Sequence, residues 1–101
     1  MTRPGLLDAA TIDAALRDAG SPWVRDGDKL VVELRFATFM DAIGFVVTVG
    51  EIAERLDHHP DIDVRYTTVR LAVSTHDAGG LTELDLQLAA DVSAAASDPL
   101  S

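Results

Sequence analysis

Apolar positions in the first part of the chain recur at helical spacing. Between residues 9 and 19, one face is formed by Ile12, Ala15, Leu16 and Ala19. Asp8 stands where a side-chain oxygen can accept from the free amide groups of a first helical turn, and Gly20 stands where helices commonly end. The pattern therefore predicts a capped helix over residues 9–19.

The next apolar residues follow the two-residue period of a β-strand. The period is carried by Leu30, Val32, Leu34 and Phe36. Such a strand buries one face and exposes the other. Residues 23–25 are also strand-like, and Asp26-Gly27-Asp28 between the two segments is a turn-forming sequence. We expect a β-hairpin whose apolar face is covered by helices.

A second, longer helix is predicted from Thr38, a suitable N-cap, to about Leu56. Its expected apolar stripe comprises Phe39, Ile43, Val46, Val47 and Ile52. Residues 45–49 favour a strand on intrinsic propensity, so strand propensity competes with the helical pattern in this segment. Pro60 is expected to stop the helix, because proline cannot donate to the helical backbone ladder. His58 and His59 should then lie at the helix end.

The second half of the chain repeats the order strand, strand, helix. Residues 64–75 are strand-like, and a bend near residues 65–67 would split them in two, with Tyr66 packed on a strand. A final helix begins at Thr82, after a glycine pair. The predicted fold class is α+β with the order αββαββα, a four-stranded antiparallel sheet with helices packed on one face. No linker divides the chain, so residues 1–101 are expected to form a single domain.

Composition narrows the possible partners. The chain has 8 Lys and Arg against 17 Asp and Glu, so its net charge is 8 − 17 = −9, which disfavours contact with nucleic acid and anionic membranes. It has no cysteine, which excludes a thiolate nucleophile. Residues 1–5 lead into an alanine-rich segment that is broken by Asp8, Asp13, Arg17 and Asp18, so no signal peptide is expected there. No apolar run approaches the roughly 20 residues of a membrane span. A soluble cytoplasmic protein is expected.

The three histidines are the strongest candidates for chemistry. His58 and His59 directly precede Pro60, and His76 lies at the predicted end of a strand. Imidazole gives and takes protons near neutral pH, which indicates general acid/base catalysis. Glu54 lies four positions before His58 and would share its helix face if the helix continued that far. The alternative interpretation is a histidine that only caps a helix end on a solvated surface.

Other site chemistries are disfavoured by spacing. Neighbours on a helix diverge by about 100°, and the i, i+4 histidine pair of a helical zinc site is missing, so no metal is expected. The pair Gly79-Gly80 lacks the spacing and the lysine of a phosphate-binding loop. Asp85 lies three residues after Thr82, the spacing of a capping box, so it has a structural explanation as well as a functional one.

Read together, these separated positions resemble the signature of the pterin-4a-carbinolamine dehydratases. The resemblance is carried by Glu54, His58-His59-Pro60, Tyr66, His76 and Asp85, within the runs 53–60, 74–76 and 80–82. It is densest between residues 36 and 91, and the αββαββα architecture of the family agrees with the pattern above. The resemblance implies dehydration of a 4a-hydroxytetrahydropterin to a quinonoid dihydropterin, which recycles the product of aromatic amino-acid hydroxylases.

The resemblance also implies roles for individual residues. In the catalytic set, His58 and His76 would serve as acid and base, and His59 would position the substrate. Glu54 and Asp85 would orient the imidazoles as supporting carboxylates. The implied substrate contacts are Asp57, His59, Ser74, Thr75 and His76. No cofactor is implied because the pterin is the substrate, and a homodimer or homotetramer is expected.

Two positions depart from the family pattern. Ile62 stands where an aromatic residue is common, and Leu84 stands where a charged residue often precedes the aspartate. These departures bear on substrate affinity and side-chain preference more than on the reaction. The alternative function is a non-catalytic pterin-binding or dimerisation module, since some family members are oligomeric partners of transcription factors. A third possible function is that of a pterin-binding protein of another pathway, such as molybdenum-cofactor metabolism. The three retained histidines favour the enzyme.

Overall fold

The computed structural model describes residues 5–96, so the first four and the last five residues of the expected domain lie outside the described residues. Within the described part, helices and strands follow one another in the predicted order αββαββα. Their bounds are α1 Ala9–Asp18, β1 Val24–Asp26, β2 Lys29–Arg35, α2 Phe39–Leu56, β3 Asp61–Arg65, β4 Thr68–Val73, a 3₁₀ helix His76–Ala78, and α3 Glu83–Ala96.

The strands form one antiparallel sheet in the order β1-β2-β4-β3. The central pair, β2 and β4, places Leu30 opposite Val73 and Val32 opposite Leu71. Directly opposed residues of antiparallel strands share one face of the sheet. All four side chains are buried, so they form a continuous apolar layer on which the helices pack.

The first hairpin turns where the sequence predicts it. Asp26 pairs with Lys29 across β1 and β2, which leaves Gly27 and Asp28 as the connecting residues. Gly27 has a φ of 63°, a left-handed conformation that glycine adopts without the clash of a Cβ atom. The short-range turn signal is therefore confirmed.

The second hairpin turns at Tyr66 and Thr67, because Arg65 and Thr68 are the last paired residues of β3 and β4. Tyr66 has a φ of 53°, which is uncommon for a large side chain, and it is 75% exposed. Its ring stacks on Phe39 of α2 with the centroids 6.5 Å apart. The predicted bend is confirmed, but the prediction that Tyr66 packs on a strand is wrong, since the bend falls on this residue.

Helix α2 begins after its predicted cap, where Thr38 Oγ1 accepts from the amide of Asp41 at 3.0 Å. Its buried residues are Ala42, Phe45, Val49, Ile52 and Ala53. Of the predicted stripe only Ile52 is among them, and Phe39 and Val47 are 45% and 60% exposed. A run in which nearly every residue is apolar fits several helical phases, so packing on the sheet selects the buried one. In the described part of the chain, no helix combines the length and apolar character needed to cross a bilayer.

The hydrophobic core lies between the sheet and the helices. Helix α1 contributes Ile12 and Leu16, α3 contributes Leu88 and Val92, and Trp23 joins the same cluster just before β1. Full burial of each aliphatic side chain stabilises the fold by roughly 1.5–3 kcal/mol. This core fixes the end of α2 next to the end of β4 and the start of α3, where the predicted chemistry lies.

Candidate active site

The chain reverses direction at Asp57, immediately before the two adjacent histidines. Asp57 has a φ of 50° and a ψ of 45°, the left-handed conformation with which many helices end. The amide of His58 donates to the carbonyl of Ala53 at 3.0 Å, and the amide of Asp57 donates to that of Glu54 at 3.2 Å. This cap ends α2 before Pro60 is reached, so the proline is not the residue that stops the helix.

The first histidine turns inward. His58 Nε2 lies 2.6 Å from Oδ1 of Asp85 in α3, and the two side chains are 7% and 0% exposed. A carboxylate away from water must be satisfied by protein donors. With Asp85 as a carboxylate, the hydrogen of this contact belongs to His58 Nε2, which leaves Nδ1 as the ring nitrogen outside the pair.

Two threonines fix the second oxygen of Asp85. Oδ2 accepts from the hydroxyl of Thr75 at 2.7 Å and from the amide of Thr82 at 2.9 Å. The two threonine hydroxyls lie 2.8 Å apart, and both residues are buried. Because a hydroxyl has one hydrogen, Thr82 donates to Thr75 when Thr75 donates to Asp85. The carboxylate is thus held at both oxygens, and it in turn holds the ring of His58.

The second histidine turns outward and pairs with a different carboxylate. His59 Nε2 lies 2.5 Å from Oε2 of Glu54, and the two side chains are 56% and 78% exposed. The prediction that Glu54 shares a helix face with His58 is wrong, because the left-handed Asp57 removes His58 from that face. Exposed pairs of this kind typically contribute no more than about 1 kcal/mol, so this contact orients His59 more than it stabilises the fold.

The third histidine meets the other two at one cavity. After β4 the chain continues into the 3₁₀ helix that begins at His76, and the amide of Thr75 donates to the carbonyl of Gly80 at 2.8 Å, which closes this loop. The cavity has a volume of about 240 Å³, and its lining residues are Asp57, His58, His59, Ser74, Thr75, His76 and Asp77. The structure therefore brings together the predicted histidines and the predicted substrate contacts, with Asp85 in contact with His58 and Glu54 in contact with His59.

A larger cavity, of about 480 Å³, lies between α1 and α3. Its lining is mainly small and apolar, with Leu16, Pro22 and Leu86 as the bulkiest side chains, and none of its lining residues is titratable. It offers no acid or base. The smaller cavity is the candidate active site because three histidines line it. Nowhere within residues 5–96 do three or more His, Cys, Asp or Glu side chains gather in a way that would hold a metal ion.

Thr82 and Asp77 have contacts with the site that the sequence does not predict. Thr82 is predicted only as a helix cap, and its Oγ1 does accept from the amide of Leu84 at 3.2 Å. Its contact with Thr75, seven positions earlier, depends on the fold of the loop between them. No sequence pattern predicts a contact at that separation. Asp77 lines the cavity, and its position beside His76 was the available sequence signal.

Comparison with known proteins identifies related sequences. The family described as "Pterin 4 alpha carbinolamine dehydratase" matches residues 5–95 of the chain. A protein from Thermomicrobium roseum, named "Putative pterin-4-alpha-carbinolamine dehydratase", is 48% identical over 83 residues, which cover 82% of this chain and 88% of that protein. A protein of the same name from Mycolicibacterium smegmatis is 46% identical over 93 residues, which cover 92% of this chain and 98% of that protein.

Solved structures share the fold. The transcriptional coactivator/pterin dehydratase from Brucella melitensis matches with a TM-score of 0.80 and 31% identity, over 87% of this chain and 95% of that one. A pterin dehydratase-like protein, described as a RuBisCO assembly factor in the alpha-carboxysome, matches with a TM-score of 0.62 and 20% identity, over 77% of this chain and 90% of that one. The second likeness concerns the fold alone. With a family match over residues 5–95, the chain belongs to the pterin-4a-carbinolamine dehydratase family.

Proposed function

We propose that this protein removes water from a 4a-hydroxytetrahydropterin to form a quinonoid dihydropterin, and so recycles the cofactor of aromatic amino-acid hydroxylases. The observation that carries the proposal is the meeting of His58, His59 and His76 at one cavity of about 240 Å³. Membership of the family indicates the substrate class, and imidazoles are the side chains best suited to proton transfer near neutral pH.

The elimination requires one proton to be given and one to be taken. The C4a–O bond breaks, and the departing hydroxyl group gains a proton and leaves as water. A base takes the proton from N5, and the electron pair of the N5–H bond forms the C4a=N5 double bond. No electrons enter or leave the reaction overall, so the pterin serves as the substrate and two acid/base groups suffice.

His58 is suited to take the proton from N5. The carboxylate of Asp85 contacts its ring at 2.6 Å and would stabilise the imidazolium that forms, as a buried carboxylate does for other histidine bases. His76 is exposed and can exchange protons with water, so we assign it the proton donated to the leaving hydroxyl group. His59, held by Glu54, would position the pterin. Positioned proton transfer typically accelerates a reaction by roughly 10²- to 10⁴-fold.

The proposal also covers the partners, the location and the oligomeric state of the protein. A net charge of −9 supports a protein without nucleic-acid or anionic membrane partners, and we propose a cytoplasmic location. We also propose a homodimer or homotetramer. The exposed apolar side chains of Phe39, Met40 and Val47 on α2 support self-association, because water is a poor solvent for a group of apolar side chains on one helix.

The test follows dehydration of freshly generated 4a-hydroxytetrahydropterin by absorbance, with and without the purified full chain. The protein should exceed the spontaneous rate, and His58→Ala and His76→Ala should each lower kcat by about 10²-fold or more. Glu33→Gln is a suitable control, because Glu33 is exposed on β2 and lies outside the cavity lining. It should retain the rate of the unmodified protein. Equal rates with and without protein would reject the proposal.

A non-catalytic pterin-binding or dimerisation module is the alternative. It is favoured by the coactivator role named for the Brucella relative. Calorimetric titration with a tetrahydropterin distinguishes the two functions. Binding without any acceleration of dehydration would support the module, whereas binding accompanied by turnover that depends on His58 would support the enzyme.

A further inference from the structure

His76 differs from the other two histidines of the candidate site in how its ring is held. His58 and His59 each contact a carboxylate, whereas the imidazole of His76 has no hydrogen-bond partner among residues 5–96. The position of this ring therefore depends on the backbone that carries it, which is the 3₁₀ helix His76–Ala78.

The loop that carries His76 is closed by backbone contacts between Thr75 and Gly80. The amide of Thr75 donates to the carbonyl of Gly80 at 2.8 Å, and the amide of Gly80 donates to the carbonyl of Thr75 at 3.3 Å. These reciprocal bonds form an isolated antiparallel bridge. A displacement of Gly80, or of Leu81 directly after it, would therefore be passed to the loop.

Two leucines that precede α1 contact the closing end of this loop. The amide of Leu7 donates to the carbonyl of Leu81 at 2.9 Å, and the side chain of Leu7 packs partly buried against the core. A Cβ atom added to Gly80 would lie 3.0 Å from Cδ2 of Leu6, so the Leu6 side chain covers this glycine. Leu6 and Leu7, which we call the leucine strap, thus contact both residues at which the loop ends.

A small cavity beside these contacts limits the other restraints on the loop. Its volume is about 210 Å³, and its lining includes Gly79 and Gly80 of the loop and Gly27 and Asp28 of the first hairpin turn, together with the leucine strap. Glycines bring no side chain into this space, and groups that border a void lose packing contacts. Packing across the cavity therefore adds little restraint, which increases the importance of the strap.

We infer that Leu7 is a positioning residue for the proposed dehydration, because through Leu81 it holds closed the loop that presents His76 to the substrate. This inference rests on the proposed function. The net contribution of one hydrogen bond corresponds to a factor of about two to ten in an equilibrium constant. A displacement of about 1 Å in a reacting group can cost up to roughly 10²-fold in rate, so a loosened loop should be detectable in kcat.

Leu7→Pro tests the inference because proline has no amide hydrogen to donate to Leu81. Amide hydrogen exchange measures the loop in the full chain without substrate. The Thr75 amide should exchange about two- to tenfold faster than in the unmodified protein, a larger change than in the amides of the β2–β4 ladder. Dehydration kinetics should show kcat lowered by about threefold or more. Gly5→Pro places the same residue where a Cβ atom meets nothing within 4 Å, and it should change neither measurement.

Leu6→Ala provides a second variant, which decides the inference if Leu7→Pro does not fold. Leu6 is 59% exposed, so its truncation should leave the fold intact while it removes the contact with Gly80. Exchange at Thr75 and kcat should change in the same directions as for Leu7→Pro, by smaller factors. Val24→Ala is the control, because Val24 is 60% exposed on β1 and should leave both measurements unchanged.

The outcomes separate this inference from the proposed function. Exchange that accelerates equally at Thr75 and in the β2–β4 ladder would overturn the inference, since the strap would then stabilise the whole fold and not the loop. Faster exchange at Thr75 with an unchanged kcat would also overturn it, because His76 would not depend on the strap. The dehydratase function stands in both cases. An unmodified protein that does not exceed the spontaneous rate would overturn the proposed function and the inference together.

Discussion

The imidazole of His58 lies 2.6 Å from the carboxylate of Asp85, a residue 27 positions later in the chain. The contact joins the residues after α2 to the first turn of α3, and both side chains are buried. Asp85 also accepts from Thr75 and Thr82. The position of one candidate catalytic ring therefore depends on contacts among three separate segments of the fold.

Replacement of Asp85 by Asn should lower the rate of dehydration much more than it changes KM. The amide has no charge to stabilise an imidazolium on His58, and Asp85 is not part of the cavity lining. We expect kcat to fall by about 10²- to 10⁴-fold, measured by steady-state absorbance kinetics. Glu54→Gln alters the exposed partner of His59 and should lower kcat by less than about tenfold. Losses of equal size in the two variants would contradict the role given to Asp85.

Removal of the Thr75 hydroxyl should destabilise the protein. Thr75→Val keeps the branched shape of the side chain but deprives Asp85 of a donor and Thr82 of an acceptor inside the protein. An unsatisfied buried polar group costs about 1–3 kcal/mol, and we expect a decrease of this size in the free energy of unfolding. Urea unfolding followed by circular dichroism measures it. Thr75→Ser should recover most of the loss, and equal stability of the valine and threonine forms would be incompatible with the observed network.

The buried face of α2 can be tested with two valines of the same helix. Val49 is fully buried, whereas Val47 is 60% exposed. Val49→Ala should lower the free energy of unfolding by about 1.5–3 kcal/mol, since it removes buried methyl groups and leaves a cavity. Val47→Ala should change it by less than about 0.5 kcal/mol. The reverse order in urea unfolding would support the apolar stripe expected from the sequence instead.

Stability should depend on pH through the ion pair between α1 and β1. Arg25 donates to both carboxylate oxygens of Asp13, at 2.9 and 3.1 Å, and this holds the pKa of Asp13 below its ordinary value of 3.8. A group whose pKa is lower in the folded than in the unfolded state stabilises the fold above the unfolded pKa, and this contribution is lost as the pH falls through the folded pKa. Wild type should therefore be more stable than Asp13→Asn at neutral pH.

The difference between wild type and Asp13→Asn should shrink as the pH is lowered through and below 3.8. Urea unfolding at a series of pH values measures it. Arg25→Gln removes the other partner of the same pair, so its difference from wild type should shrink over the same pH range. A difference that stays constant with pH in both variants would show that the pair does not contribute through the charge of Asp13.

Local sequence signals predict most of the fold. The side chains of Asp8 and Thr38 cap α1 and α2 as expected, with amide contacts of 2.8 and 3.0 Å, and Gly27 turns the first hairpin. These signals act between residues at most a few positions apart, so they can be recognised without knowledge of the fold. The buried face of α2 could not be predicted, because a nearly continuous apolar run contains no information about its phase.

The candidate site was predictable in its membership but not in its pairings. The resemblance to the family indicates the histidines and carboxylates, and the cavity contains the predicted contacts. Glu54 is expected beside His58 but contacts His59, while Asp85 contacts His58, and these pairings depend on the left-handed conformation of Asp57. Asp57 is not the glycine that usually adopts this conformation at a helix end, although aspartate tolerates it better than most residues, so its sequence signal is weak. The contacts of Thr82 likewise depend on tertiary structure.

Since Asp57 sends adjacent residues in opposite directions, the two rings are anchored to different helices. His58 is held to α3 by its contact with Asp85, whereas His59 is held to α2 by its contact with Glu54. Any sliding of one helix along the other would alter the distance between the rings without a change of sequence nearby. The Arg55–Asp91 contact between the same helices, at 3.3 Å, opposes such sliding. Substitutions remote from the cavity that shift this helix pair should therefore lower the rate of the proposed dehydration while the chain is still fully folded.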